Sequence, residues 1–183
     1  MIIEKIPLDG AAVIDSEPFI DHRGAFARFF CEDELAEIIG NRHIVNVNFS
    51  RTDQKGAIRG LHFQYPPKAE MKLIRCIRGA VYDVIVDIRR DSPTFLQWFG
   101  IELTGDIMKM LCVPEGFAHG FQVLEESSEM LYLHTEFYSR DHEGGLRYSD
   151  SALGIEWPLE PNDISERDRV HLLISEGFQG VVI

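Results

Sequence analysis

The chain is poor in cysteine, poor in basic residues and without a long apolar run, and each shortage excludes a class of protein. Cys31, Cys76 and Cys112 are its only cysteines. They form no C-x-x-C pair and no even-numbered framework, so the expectation is buried free thiols in a reducing cytosol. Lys and Arg number 18 against 30 Asp and Glu, for a net charge of −12. That balance argues against a nucleic-acid partner, which needs a broad basic face. An anionic ligand would need a local cluster of Arg and Lys acting against the global field. The apolar runs are too short to span a bilayer, so no membrane partner is expected. The opening MIIEKIPLDG has neither a basic n-region nor a long apolar h-region, and no secretory signal is expected. Glycine-rich phosphate loops of the G-x-G-x-x-G or P-loop kind are missing, as is any local Ser or Cys nucleophile signature. A cytoplasmic protein is the expectation.

What is present can build a core. With 45% hydrophobic residues in 183, a single domain over 1–183 is the default. Residues 1–50 read as N-terminal strands and a short helix, and 158–183 as a C-terminal wrap. The spacing predicts a helix over Glu32–Ile39, with acids at its start and Gly40 just past its end. Strands follow over Lys72–Ile77, Ala80–Ile88, Leu96–Leu103, Met108–Val113, Gly120–Leu124 and Met130–Phe137. Turn signals such as Arg78-Gly79, Asp91-Ser92-Pro93 and Thr104-Gly105-Asp106 separate them at roughly ten-residue intervals. Many short, evenly spaced strands predict an all-β sandwich, jelly roll or barrel with one or two short helices. A short helical turn is expected at Ser165–Asp168.

Two blocks concentrate the chemistry: Arg59-Gly60-Leu61-His62-Phe63-Gln64 and Val113 to Phe121, which holds His119. Each sets one histidine among glycines, aromatics and β-formers. Histidine titrates near neutrality and is a natural general base. Lys72 shares a strand face with Ile74 and Cys76. It either snorkels at a strand end or faces a polar cavity, where it would stabilise an enolate or a phosphate. Period two puts Met130, Tyr132, His134 and Glu136 on one face, which suits a cavity lining or a solvated surface. Tyr132 reads as an ordinary sheet tyrosine or as a phenol that protonates a carbanion. Tyr138 reads as a stacking platform or a cover for the barrel mouth. Asp168 reads as part of a capping box with Ser165 or as the partner of a histidine ring. Arg23 reads as a turn residue or a phosphate clamp. Metal-binding jelly rolls usually carry His-x-His and a later Glu, but Gln64 stands two after His62 and Val123 four after His119. At most two nitrogen ligands remain, so no metal is expected.

These residues resemble the dTDP-4-dehydrorhamnose 3,5-epimerases, nucleotide-sugar epimerases of the cupin superfamily. The resemblance runs over Asp21 to Gly24, Arg59 to Gln64, Lys72 to Cys76, Tyr82 to Arg89, Asp91 to Phe95, Val113 to Phe121 and Gly154 to Pro158. It implies a double-stranded β-helix jelly roll that dimerises by sharing strands and uses no cofactor or metal. The substrate it implies is a nucleoside-diphosphate 4-keto-6-deoxyhexose. The catalytic histidine falls on His62, its aspartate on Asp168, the acid tyrosine on Tyr132 and the enolate-supporting lysine on Lys72. Arg23 and Arg59 match positions that hold the nucleotide and diphosphate. Asn48, His119, Tyr138 and Glu143 match residues lining the pocket. The chain departs from the usual pattern at Asn46, Leu133, Tyr148 to Ser151 and the Tyr65 to Glu70 segment. The alternatives are inversion at one centre only, a GDP- or CDP-linked sugar, a sugar-binding barrel without activity, or a metal-dependent oxygenase.

Overall fold

A computed structural model describes residues 1–174 and 177–183. The elements run β1 (Ile2–Lys5), β2 (Ala12–Asp15), β3 (Phe19–Asp21), β4 (Gly24–Phe26), α1 (Ala36–Ile39), β5 (Asn46–Thr52), β6 (Ile58–Gln64) and β7 (Lys72–Arg78). They continue with β8 (Ala80–Asp87), β9 (Trp98–Thr104), β10 (Lys109–Val113), β11 (Phe117–Val123), β12 (Ser128–His134), β13 (Glu143–Gly145) and α2 (Glu166–Arg169). Two antiparallel sheets face each other in a jelly roll. One has six strands ordered β1-β2-β10-β7-β12-β5 and the other five ordered β13-β6-β11-β8-β9. β3 and β4 form a separate hairpin.

Alternation builds three apolar layers. In β7, Ile74 and Cys76 point between the sheets, where they meet Val81, Ile85, Phe121 and Met130. Leu73, one residue out of phase, joins Ile14, Leu133 and Ile39 on the outer face of the six-stranded sheet. Burial of a side chain such as Leu73, fully inaccessible here, contributes about 1.5–3 kcal/mol. The outer face of the second sheet is covered by Leu146, Leu153 and Val181, with Ile174 and Phe178 packed against them. The C-terminal segment lies over this face and is tied down by a Val181 N–H to Ile88 carbonyl bond of 2.7 Å.

The helix is shorter than the spacing predicts. Residues 32–35 form a turn, and α1 spans only Ala36–Ile39. Leu35 at the N-cap offers no side-chain acceptor, so only backbone bonds hold the start of the helix, from the Leu35 N–H to the Cys31 carbonyl and from the Ala36 N–H to the Asp33 carbonyl. The carboxylate of Glu34 bonds instead to the Met1 amine at 2.5 Å and to Arg28. The strand at 130–137 also ends early, at His134, where Thr135 turns its hydroxyl and N–H back onto Met71. Cys76 and Cys112 are buried but Cys31 is only half-buried, because it lies in the connection before α1; none is paired with another. Among the described residues no helix is long and apolar enough to cross a membrane.

Candidate active site

At one end of the sandwich the inward positions change from apolar to polar. The same phase that aims Ile74 inward aims Lys72 inward. The phase of Leu61 and Phe63 on the outer layer turns His62 in, and the phase of Phe117 and Phe121 does so for His119. Tyr132 and His134 follow Met130 on β12. The result is a cavity of about 650 Å³ between the sheets, within the usual range for a small-molecule site. Its walls include His62, Lys72, His119, Tyr132 and Asp168. Arg59, Asn48, Tyr138 and Glu143 complete it toward the mouth.

Two glycines let β6 and β11 approach closely. A Cβ on Gly60 would stand 2.5 Å from the Cα of Gly120, and Gly60 holds φ at +123°. The Gly60 N–H donates to Asp168 Oδ2 at 3.2 Å, and Asp168 Oδ1 lies 2.7 Å from His62 Nε2. An ionised carboxylate only accepts, so the short bond to Asp168 favours the tautomer with the proton on Nε2 and the lone pair on Nδ1. Burial depresses the basicity of the imidazole, partly offset by Asp168 and reinforced by Arg167 and Lys72. His62 is therefore neutral near pH 7 and able to accept a proton. Burial alone would raise the Asp168 carboxyl, but the His171 and His62 rings and the Gly60 N–H hold it far below the carboxylate range. Both readings of Asp168 hold together: its backbone N–H donates to Ser165 Oγ at 3.1 Å as a helix cap, while its side chain serves the histidine.

Tyr132 stands across the cavity from the β6–β11 wall. Its ring meets His119 edge to face at 6.3 Å and stacks with His134 at 6.1 Å. Its hydroxyl pairs with Ser50 Oγ at 2.9 Å. Burial pushes the phenol well above the usual tyrosine range, so it is protonated and can only give a proton. Lys72 Nζ lies 3.2 Å from Glu70, and Glu70 also meets His134 Nδ1 at 2.8 Å. Burial would raise the Glu70 carboxyl, but His134 and Lys72 keep it below its ordinary value. His119 is fixed by both oxygens of Asp83 at 3.0 Å. Arg59 bonds Thr52 Oγ1 at 2.8 Å and has no carboxylate within ion-pair reach among the described residues. Tyr138 donates to Glu143 at 3.1 Å, and Glu143 also accepts from Arg167 at 2.9 Å.

Arg23 is the predicted residue that the chain does not bring here. It sits at the tip of the β3–β4 hairpin, 77% exposed and paired with Asp21 at 2.6 Å. Sequence reasoning missed Glu70, Asp83, Arg167 and His171. Period two could have found Glu70, two residues before Lys72, and Asp83, between Val81 and Ile85. Arg167 and His171 lie in an irregular segment without periodicity.

By residue type, His62, Asp168 and His171 are a possible metal set, their donor atoms lying within 4.8 Å of one another. The geometry opposes it. Asp168 Oδ1 is already in a short hydrogen bond with His62, and the Arg167 guanidinium stands 3.1 Å from His62 Nε2, setting positive charge where a cation would sit. The cluster suits proton handling better.

A family model described as dTDP-4-dehydrorhamnose 3,5-epimerase matches residues 5–176. The dTDP-4-dehydrorhamnose 3,5-epimerase of Salmonella typhimurium is 40% identical over 180 residues, 97% of this chain and 98% of that protein. The crystal structure of the Bacillus anthracis enzyme of that name, with TDP and PPi bound, superposes with a TM-score of 0.88 at 40% identity, covering 94% of this chain and 99% of that one. A Legionella pneumophila dTDP-6-deoxy-D-glucose-3,5-epimerase in complex with dTDP-4-keto-L-rhamnose gives a TM-score of 0.92 at 35% identity, covering 100% and 98%. By these likenesses the jelly roll and its polar cavity are those of a carbohydrate epimerase. More narrowly, the chain belongs to the dTDP-4-dehydrorhamnose 3,5-epimerase family.

Proposed function

We propose that the chain inverts carbons 3 and 5 of a nucleoside-diphosphate 4-keto-6-deoxyhexose of the dTDP-4-dehydro-6-deoxyglucose type, by proton transfer alone and without a cofactor. The observation that carries this reading is His62, bound to Asp168 at 2.7 Å, lining the same cavity as the hydroxyl-bearing Tyr132. The 4-keto group acidifies the hydrogens on its neighbouring carbons. His62 Nδ1 removes one, and the electron pair moves onto the carbonyl oxygen as an enolate. Lys72, inside the cavity as an ammonium, stabilises that oxygen, commonly the largest catalytic contribution. Tyr132 returns a proton from the opposite side and the centre inverts. Arg59, without a carboxylate partner among the described residues, suits a diphosphate. Asn48, His119, Tyr138 and Glu143 hold the rest of the substrate. The three free thiols fit the reducing cytoplasm.

The hairpin completes the proposal. Phe19, Ile20 and Phe26 on β3 and β4 are 70%, 72% and 75% exposed. The edge strand β5 exposes Val47 and Phe49, and an unpaired apolar edge invites another chain. We infer a homodimer in which the hairpin of one copy extends the sheet of the other and carries Arg23 to the nucleotide.

Deuterium wash-in tests the reaction. The protein is incubated in heavy water with dTDP-, GDP- and CDP-linked 4-keto-6-deoxy sugars and the products are weighed by mass spectrometry. Two deuterons on the dTDP sugar are expected. One deuteron would reduce the reading to a single centre, and none on any of the three would remove it.

A further inference from the structure

We propose that His171 is a positioning residue that tunes the basicity of His62 through the carboxylate the two rings share. The inference takes from the proposed function only that His62 is the base. His171 Nε2 lies 3.4 Å from Asp168 Oδ1, the same oxygen that His62 Nε2 meets at 2.7 Å. Yet His171 Nε2 is buried and makes no hydrogen bond. The aspartate is its one polar neighbour within ion-pair distance among the described residues.

The ring's seat is built by the fold. A Cβ on Gly145 would collide with the His171 ring at 2.3 Å, so the bare glycine makes the space. Gly145 is the β13 register partner of His62, which puts both rings at one rung of the sheet. They meet edge to face, centroids 5.6 Å apart at 76°. Behind the ring, the His171 carbonyl accepts from Arg147 Nε at 3.1 Å and fixes the backbone.

The physical consequence has a definite sign. A buried N–H without a partner is unfavourable, so a small tilt of the ring toward Oδ1 is favoured. A donor on Oδ1 draws off electron density that would otherwise support the His62 imidazolium. A protonated His171 would oppose that imidazolium by charge as well. In either form His171 makes His62 a weaker base and keeps it neutral at lower pH. The other groups facing His62 are Asp168 and Arg167 from α2, with Glu143 of β13 bound to Arg167. Lys72 faces it from β7, and the His119–Asp83 pair adjoins it from β11 and β8. Substitution of His171 leaves all of them in place.

The test is an NMR titration of labelled histidines in the substrate-free protein, with the His62 signal assigned from His62→Asn. In His171→Phe, which keeps the ring packing and loses the nitrogen, the His62 midpoint should rise by roughly half a pH unit or more. His171→Gln, which keeps an N–H donor, should stay near the wild-type midpoint. The acid limb of deuterium wash-in should move with the NMR midpoint. Should His171→Phe fail to fold, Gly145→Ala displaces the same ring and must give the same shift. An unchanged His62 midpoint, with activity lowered equally at every pH, would mean that the ring only packs and would overturn the proposal. A shifted midpoint with no exchange on any keto sugar would support His171 and remove the epimerase reading instead.

Discussion

His62 and His119 are direct register partners across β6 and β11, yet each ring is tied to a carboxylate of its own. Asp168 reaches His62 from α2, and Asp83 reaches His119 from β8. The His62 side chain keeps 26% of its surface open, whereas His119 keeps 7%. The more accessible ring is the one proposed as the base. His62→Asn should lower the rate of deuterium wash-in by about 10²–10⁴-fold, the usual worth of a general base. His119→Asn should act mainly on KM. Equal losses of kcat in the two variants would mean that the base has been misassigned.

In the proposed mechanism Tyr132 gives its proton after the enolate has formed. Tyr132→Phe should therefore keep exchange at one carbon while the inverted product falls sharply. Mass spectrometry reads the exchange and chiral analysis of the sugar reads the product. Parallel loss of both would remove the separate role of the phenol.

The pH profile follows from two shifts of opposite direction. The proposed mechanism requires His62 neutral, and burial lowers its pKa below that of free imidazole, so the acid limb should fall below about 6.5. It also requires Tyr132 protonated, and burial raises its pKa above the usual tyrosine value, so the alkaline limb should fall above about 10. The kcat/KM of the free enzyme should be flat between these limits. A profile narrowed to a bell around neutrality would contradict both assignments.

The β3–β4 hairpin yields a prediction about assembly. Phe19→Ser with Phe26→Ser should convert a dimer to a monomer in sedimentation velocity and raise KM. Arg23→Ala should raise KM while leaving the sedimentation coefficient unchanged. A monomeric wild-type protein of full activity would show that Arg23 serves the turn alone.

The periodic parts of the fold were legible and the irregular parts were not. Strands from Lys72 to Val123 are short apolar, β-branched runs bounded by turn signals, most of them buried on both faces, and the structure places them within a few residues of the expected bounds. Alternation also put Tyr132 and His134 on one face, and that face lines the cavity. It left Lys72 undecided, because a single strand does not show what lies opposite. The helix was overextended because the charge of Glu34 was credited to a helix start, when long-range partners Met1 and Arg28 hold it. Arg167 and His171 were invisible for a related reason: their environment is made by β6 and β13, more than twenty residues upstream. Arg23 fits its motif but lies outside this chain's own cavity, at the tip of the β3–β4 hairpin, and the proposed homodimer is what would bring it to a site.

Gly60 offers a test of the scaffold independent of chemistry. Gly60→Ala adds a methyl against Gly120 and forces a positive φ on a residue that resists it. Thermal unfolding should show a loss of about 1–3 kcal/mol, and Asp168 should lose its hold on the Gly60 N–H. An unchanged melting temperature would indicate that β6 and β11 are less tightly apposed than described.

Every strand of both sheets is complete by Gly145, whereas the carboxylate that orients His62 arrives only at Asp168. The pairing of the strands therefore does not need α2, and His62 gains its carboxylate only when that helix docks against β6. A cut between Pro158 and Ser165 is expected to loosen the hold of Asp168 on His62, because the covalent link from the sheets to α2 runs through that stretch. This seam makes the junction a natural place to install an artificial off-switch.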